Sequence, residues 1–125
     1  MKLIAATLLL VTFCASSMAQ DREMSPELLA YIQRTNESVA AFLDGDYNQV
    51  INAYESLVGE RVNVSLLNYK LASESYLKLA EIMPDDSTYY VEKANEVYVL
   101  AEKWNGKVMV AERWDAMTIE PVNAE

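Results

Sequence analysis

Glycine and proline interrupt this chain at only six positions, and their placement constrains the fold more than any other feature of the sequence. The glycines, Gly45, Gly59 and Gly106, each follow a stretch in which apolar residues recur every three to four positions. That period is the period of an α-helix, and glycine often stands just beyond a helix end. No long stretch alternates as a β-strand would. The sequence therefore predicts an all-α fold in which each glycine ends a helix.

The first two predicted helices meet at a tight elbow, Asp44-Gly45-Asp46-Tyr47. Ser25 and Pro26 are typical of a helix start, and the helix that follows is predicted to stop at Asp44-Gly45. Asp46 is the predicted N-cap of the second helix, with Gln49 completing a capping box, and Gly59 is its predicted left-handed C-cap. The first helix is predicted to carry Leu28, Ile32, Thr35, Val39 and Leu43 on one side. The predicted buried positions of the second helix are Val50, Ile51, Tyr54, Leu57 and Val58.

Two longer helices are predicted next. The third runs from about Leu66 to Met83, where Pro84 ends it, and its apolar residues cover enough of the surface to place it at the centre of the packing. Lys70 is assigned to its solvent-exposed edge, together with Glu74, Lys78 and Glu81. The fourth helix follows an acidic loop at Asp85 and ends at Asn105-Gly106, with a predicted buried face of Tyr90, Ala94, Val97, Tyr98, Ala101 and Trp104.

The segment 107–118 is predicted to form a short amphipathic helix with Val110, Ala111, Trp114 and Met117 on one side. Such a helix either closes the core of the domain or docks on a partner through Trp114. We favour closure of the core. Residues 20–118 are then one helical domain, and residues 119–125 are a frayed tail.

The first nineteen residues are interpreted as a signal peptide. Lys2 precedes an apolar run that is too short to anchor the chain in a bilayer, and Ser17-Met18-Ala19 is typical of a cleavage site. The mature protein is therefore expected to begin at Gln20 and to be exported, with the periplasm favoured over the extracellular medium. Lipid anchoring through Cys14 is the weaker alternative, because Phe13 precedes it.

The amino-acid composition argues against several kinds of function. Nineteen acidic residues against ten basic ones give a net charge of −9, which disfavours binding to nucleic acid or to anionic lipid. The chain has no histidine, and its one cysteine lies in the leader. Nucleophiles paired with histidine and the usual zinc sites are therefore excluded. We expect no catalytic residue, no cofactor and no metal, and the adjacent Asp85 and Asp86 are interpreted as helix caps.

The elbow also resembles a calcium-binding loop of the EF-hand type. Asp44, Asp46, Asn48 and Glu55 occupy possible ligand positions, but Gln49 stands where that loop needs glycine. A helix from Tyr47 onward would also turn Asn48 and Glu55 away from Asp44. We therefore do not assign calcium binding.

A second resemblance covers most of residues 31–101. The sequence resembles the tetratricopeptide repeat at Gly45-Asp46-Tyr47, in the residues that follow it and in the second pair of helices. The matching positions are Val50, Tyr54 and Leu57, then Tyr69, Ala72, Ser73 and Tyr76, then Ala94, Tyr98 and Ala101. The first helix matches least, with Ser38 as the small residue and Arg34 and Ala41 at the aromatic positions. The resemblance implies two antiparallel helical hairpins with a short capping helix, and the alternative is an up-and-down four-helix bundle.

The function expected from these features is that of an exported, non-enzymatic protein–protein interaction module, an adaptor or assembly subunit. Its partner is another protein or a second copy of the chain, since two repeats alone bury little core. The sequence does not indicate which residues contact that partner. The alternative is a helical-bundle carrier of a small ligand, or an enzyme based on carboxylates or tyrosines.

Overall fold

A computed structural model describes residues 25–122 of the chain. The predicted leader, its cleavage site and Cys14 lie outside the described residues. The chain divides into two compact units, Met1–Tyr31 and Ile32–Glu125. The described part of the first unit forms the opening turns of the first helix, where the Ser25 hydroxyl accepts a hydrogen bond from the backbone N–H of Leu28 at 3.1 Å. The packing below is that of the second unit, and a single domain over 20–118 stays a prediction.

The described residues are all-α, which confirms the predicted fold class. Between residues 25 and 122, five α-helices follow one another along the chain, and one 3-10 turn, Pro84–Asp86, precedes the fourth. The helices are α1 (Pro26–Leu43), α2 (Tyr47–Gly59), α3 (Leu66–Ile82), α4 (Ser87–Asn105) and α5 (Lys107–Arg113).

The elbow between α1 and α2 is closed by backbone hydrogen bonds. The N–H of Gly45 donates to the carbonyl of Phe42 at 3.0 Å, and the N–H of Asp46 donates to the carbonyl of Ala41 at 2.8 Å. This pair of bonds is a Schellman motif, which requires a left-handed residue at the helix end, and Gly45 has a φ of +83°. The Asp46 carboxylate then accepts from the N–H of Gln49 at 3.3 Å, as the predicted N-cap should.

The end of α2 differs from the prediction. Gly59 is the last helical residue and has no positive φ, while the left-handed residue is Arg61, with a φ of +60°. The N–H of Arg61 donates to the carbonyl of Val58 at 3.1 Å, so the left-handed residue that closes the turn stands two residues later than predicted. Arg61 is the only non-glycine residue with a positive φ between residues 25 and 122.

The core is centred on α3, as its wide apolar surface predicts, and eleven of its seventeen residues are buried. On one side, α3 packs on α2, α4 and α5 through a cluster that includes Tyr54, Tyr76 and Trp114. On the other side Leu71 packs with Val39 of α1 and Val50 of α2. The buried amide of Asn68 donates to the Thr35 hydroxyl at 2.9 Å, so a polar bond also joins α1 to α3.

The observed position of Lys70 contradicts the prediction that it lies on a solvent-exposed edge. It keeps only 9% of its surface exposed, and its ammonium donates to the carbonyl oxygens of Trp114 at 2.5 Å and Met117 at 2.6 Å. Because α5 ends at Arg113, the ammonium lies at the C-terminal end of a helix, where a positive charge is favourable. Helical spacing placed Lys70 beside Glu74 but could not show that the C-terminal segment covers that edge.

The C-terminal segment closes the core, as we favoured. Val110 and Trp114 are buried, and the indole meets the ring of Tyr98 edge to face at 4.7 Å. The helix is shorter than predicted, since the chain turns after Arg113, and Ala111 is exposed. A frayed tail over 119–125 stays a prediction, and Val122 within it is hydrogen-bonded to α1. The Asn36 side chain donates to the carbonyl of Val122 at 3.1 Å and accepts from its N–H at 2.6 Å.

Candidate binding site

A concave surface in the described part of the chain lies between the α2–α3 connection and the C-terminal end of α4. It is a cavity of about 590 Å³, open on one side. The last turns of α2 and α4 and the start of α3 complete its walls. Its lining residues are Val58, Arg61, Val62, Asn63, Val64, Tyr69, Leu100, Trp104 and Asn105.

Trp104 dominates the rim of this cavity, and this contradicts its predicted place in the core. Its side chain is 68% exposed, although it lies on the same face of α4 as the buried Val97 and Ala101. Helical periodicity identifies that face correctly, but beside the last turn of α4 the α2–α3 connection lines an open cavity. Since the connection leaves a cavity there, the indole stays in solvent.

The other apolar walls come from residues that the sequence analysis placed elsewhere or passed over. Val58 was predicted to be buried on α2 but is 41% exposed, and Val62 of the connection is 39% exposed. Within the connection, Val62 and Val64 alternate with polar residues. Those two valines were the available sequence signal, because apolar residues in a loop either pack inward or form a binding surface. The buried ring of Tyr69 contributes to the lining from α3.

The connection is attached to α1 by a charged cluster. The Arg34 guanidinium donates to both carboxylate oxygens of Glu60, at 3.0 and 2.8 Å, and the Ser56 hydroxyl donates to the same carboxylate at 2.9 Å. Hydrogen bonds from Arg34 and Ser56 hold the pKa of Glu60 below its usual value. The bidentate pair fixes the geometry of Glu60, and it leaves the next residue, Arg61, free to line the cavity.

The charge that lines the cavity is opposite in sign to the net charge of the whole chain. The net charge is −9, yet no acidic residue lines the cavity, and Arg61 does. The Lys103 ammonium lies 5.5 Å from the centre of the Trp104 ring, a distance at which a cation is attracted to the ring face. The site therefore combines apolar walls with positive charge.

A second, shallower depression of about 380 Å³ lies between α3 and α4. Its lining includes Leu77 and Val91, together with the acidic side chains of Glu74 and Glu92. Its remaining walls are core residues such as Ser73, whose hydroxyl donates to the carbonyl of Ala94 at 3.1 Å and holds the two helices together. The depression is therefore a seam between two packed helices rather than a recess for a ligand.

The tyrosines of the core divide into two groups. Tyr54, Tyr69 and Tyr76 are buried, while Tyr90 and Tyr98 are half-buried. Burial, followed by the nearby Tyr69, Tyr76 and Glu55, raises the pKa of Tyr54, and burial, followed by Glu55 and other neighbours, raises the pKa of Tyr76 to about 12. Both phenols therefore stay protonated near neutral pH and act as core residues.

The acidic residues considered in the sequence lie in two places, the 3-10 turn before α4 and the elbow before α2. Asp85 and Asp86 are exposed in the 3-10 turn, and neither makes the side-chain capping bond that we predicted. At the elbow, α2 begins at Tyr47, so Asn48 and Glu55 lie on a helix rather than around a loop. Among residues 25–122, no group of three or more acidic side chains is arranged to hold a metal ion.

None of the helices in this part of the chain is long and apolar enough to cross a membrane. Comparison of the chain with protein-family models, with curated proteins and with solved structures finds no match.

Proposed function

We propose that this chain is an exported, non-enzymatic protein-interaction module that binds its partner at the cavity beside Trp104. The observation that carries the proposal is the exposure of that indole on the rim of an apolar recess. Tryptophan is the residue most enriched among binding hot spots, and exposed apolar surface beside a recess is typical of an interaction site. The partner is another protein or a second copy of this chain.

A tetratricopeptide-like arrangement of two hairpins is part of the proposal. The hydrogen bond between Thr35 and Asn68 joins positions 33 residues apart on α1 and α3, and Val39 and Leu71 of the same two helices share a cluster. This offset is close to the ~34-residue period of that family, in which the first helices of successive repeats lie side by side. The short α5 would then cap the second hairpin.

The proposal is tested by affinity capture with three forms of the protein: the wild type, Trp104→Ala and Tyr89→Ala. Tyr89 is also an exposed aromatic residue of α4 but lies at the other end of the helix, so Tyr89→Ala is a matched control. We expect wild type and Tyr89→Ala to capture the same partner, and Trp104→Ala to weaken that complex by ~2 kcal/mol or more. Sedimentation of the purified protein distinguishes self-association from a different partner. A partner that binds Trp104→Ala as tightly as wild type would contradict the proposal.

Export is tested separately by sequencing the N-terminus of the protein from its native host. We expect Gln20 as the first residue, while a lipid on Cys14 would contradict release after cleavage. Both positions lie outside the described residues.

The second candidate function is a carrier of a small apolar ligand. It is favoured by the volume of the cavity, which falls within the ~300–1,000 Å³ usual for small-molecule sites. A ligand that co-purifies with the protein and is lost in Trp104→Ala, with no protein captured, would favour the carrier.

A further inference from the structure

The charge and polarity of the residues that line the cavity beside Trp104 indicate which kind of peptide segment binds there. We propose that it binds an acidic–apolar peptide segment of the partner, in which an apolar side chain enters between Val62 and Trp104 and an adjacent Asp or Glu pairs with Arg61. This inference rests on the proposed function and adds the chemistry of the partner to it.

The first support is the distribution of charge. Nineteen acidic residues give the chain a net charge of −9, so a basic partner would be the expectation from composition alone. The lining of the cavity has no acidic residue and includes Arg61, and Lys103 lies over the indole on its rim. A carboxylate near an apolar side chain is complementary to this arrangement, and an ammonium group is not.

The second support is that Arg61 has no counter-ion within the described residues. Its sequence neighbour Glu60 would be the obvious partner, but Glu60 is held by both terminal nitrogens of Arg34 and by Ser56. The ion pairs in this part of the chain join Arg34 to Glu60 and Lys93 to Glu96. The guanidinium of Arg61 is therefore available for a bidentate bond to a carboxylate, which is the geometry it favours.

The third support is the backbone of Arg61. A φ of +60° is disfavoured for a residue with a Cβ, and glycine or asparagine is the usual occupant of such a position at a helix end. Arginine at this position therefore costs stability, and the fold by itself would be served better by glycine. Strained residues of this kind concentrate at binding sites.

A protein segment fits the cavity better than a small molecule does. Small ligands are usually enclosed over ~70–90% of their surface, but this cavity opens to solvent beside an indole that is itself 68% exposed. The apolar surface continues past the opening through the exposed faces of Val58 and Val62. A polypeptide covers both the recess and this rim, and the central side chain of its segment enters the recess.

The test uses a panel of fluorescein-labelled heptapeptides and the full-length chain. The central residue of each peptide is Leu, Ile, Phe, Tyr or Trp, and its two neighbours are both Glu, both Gln or both Lys. We expect the best Glu-flanked peptide to bind about tenfold tighter than its Gln-flanked counterpart, and the Lys-flanked peptide to bind weakest. The net charge of the chain alone predicts the opposite order, and that order would overturn the inference.

Two substitutions of Arg61 separate its role in binding from its role in the fold. Arg61→Gln should remove the preference for Glu over Gln. Arg61→Gly should remove the same preference while raising the melting temperature, because glycine relieves the positive φ. Arg113→Gln removes an exposed positive charge that does not line the cavity and should leave the preference unchanged. A preference that persists in both Arg61 variants would overturn the inference.

The outcomes also distinguish this inference from the proposed function. If the native partner is captured through Trp104 but no peptide class is preferred, the inference fails and the proposed function stands. If neither capture nor peptide binding depends on Trp104, both fail. Sodium decanoate serves as the small-molecule probe: if it binds at the cavity, no peptide binds there and no partner is captured through Trp104, the inference and the proposed function both give way to the carrier.

Discussion

Lys70 and Trp114 are joined across 44 residues of sequence by a hydrogen bond from the lysine ammonium to the tryptophan carbonyl. The same ammonium donates to the carbonyl of Met117. A charged group at a helix C-terminus satisfies carbonyls that have no partner within the helix, and here it also attaches the C-terminal segment to the central helix α3.

The first prediction concerns this bond. Lys70→Met should lower the free energy of unfolding by about 2–3 kcal/mol, because it removes a charged donor and leaves two carbonyls without it. Lys78→Met is the matched control, since Lys78 lies on the same helix but is exposed, and it should change stability by less than ~0.5 kcal/mol. Urea denaturation measures both, and faster hydrogen exchange over 107–117 in Lys70→Met alone would locate the effect. Equal losses in the two variants would contradict a specific role for Lys70.

The second prediction compares the two tryptophans. Trp114 is 8% exposed and packs on Tyr98, so Trp114→Ala should cost about 3–5 kcal/mol of stability, the range for emptying a large aromatic side chain from a core. Trp104→Ala should leave stability within ~0.5 kcal/mol of wild type. Thermal unfolding of both variants provides the test. An unchanged melting curve for Trp114→Ala would show that α5 does not close the core.

The third prediction concerns two glycines at helix ends. Gly106 has φ +90° and ψ 139°, a conformation that residues with a Cβ avoid, so Gly106→Ala should cost about 1–3 kcal/mol. Gly59 is helical and has no positive φ, so Gly59→Ala should be neutral or should stabilise the protein by up to ~1 kcal/mol. In neither case does an added Cβ meet an atom within 4 Å, so the difference isolates backbone conformation. Similar changes in melting temperature at both sites would contradict this account.

The fourth prediction is a loss of stability at alkaline pH. The pKa values of Tyr54 and Tyr76 are raised in the folded protein, the latter to about 12, whereas an unfolded tyrosine titrates near ~10. The unfolded state therefore loses its protons first. The contribution of these two tyrosines to the free energy of unfolding should be constant below pH ~10 and fall as the pH rises toward 12.

The corresponding variants are Tyr54→Phe and Tyr76→Phe, measured by urea denaturation at pH 8 and at pH 11. Each should make stability less dependent on pH over this range, while Tyr89→Phe, at an exposed tyrosine, should not. An identical pH dependence in all three variants would show that burial of the phenols is not the cause.

The periodic positions of the sequence predicted the helices and most of the core. Val50, Tyr54 and Leu57 of α2 are buried as their spacing indicates, and the all-α class is confirmed. The Asp46 cap and the end of α1 at the elbow follow from local hydrogen bonds between residues that are close in sequence. Such features are local, so the sequence by itself determines them.

Three residues could be placed only by the tertiary structure. Trp104 lies on a buried helical face, but the neighbouring connection does not cover the last turn of α4. Lys70 lies on a polar edge, but a segment 44 residues away covers it. Arg61 takes the left-handed conformation expected of Gly59 because the turn closes two residues later. Helical spacing gives the direction in which a side chain projects from its own axis, whereas exposure depends on what another part of the chain places there. That non-local packing decides both how the core closes and where the candidate binding site opens.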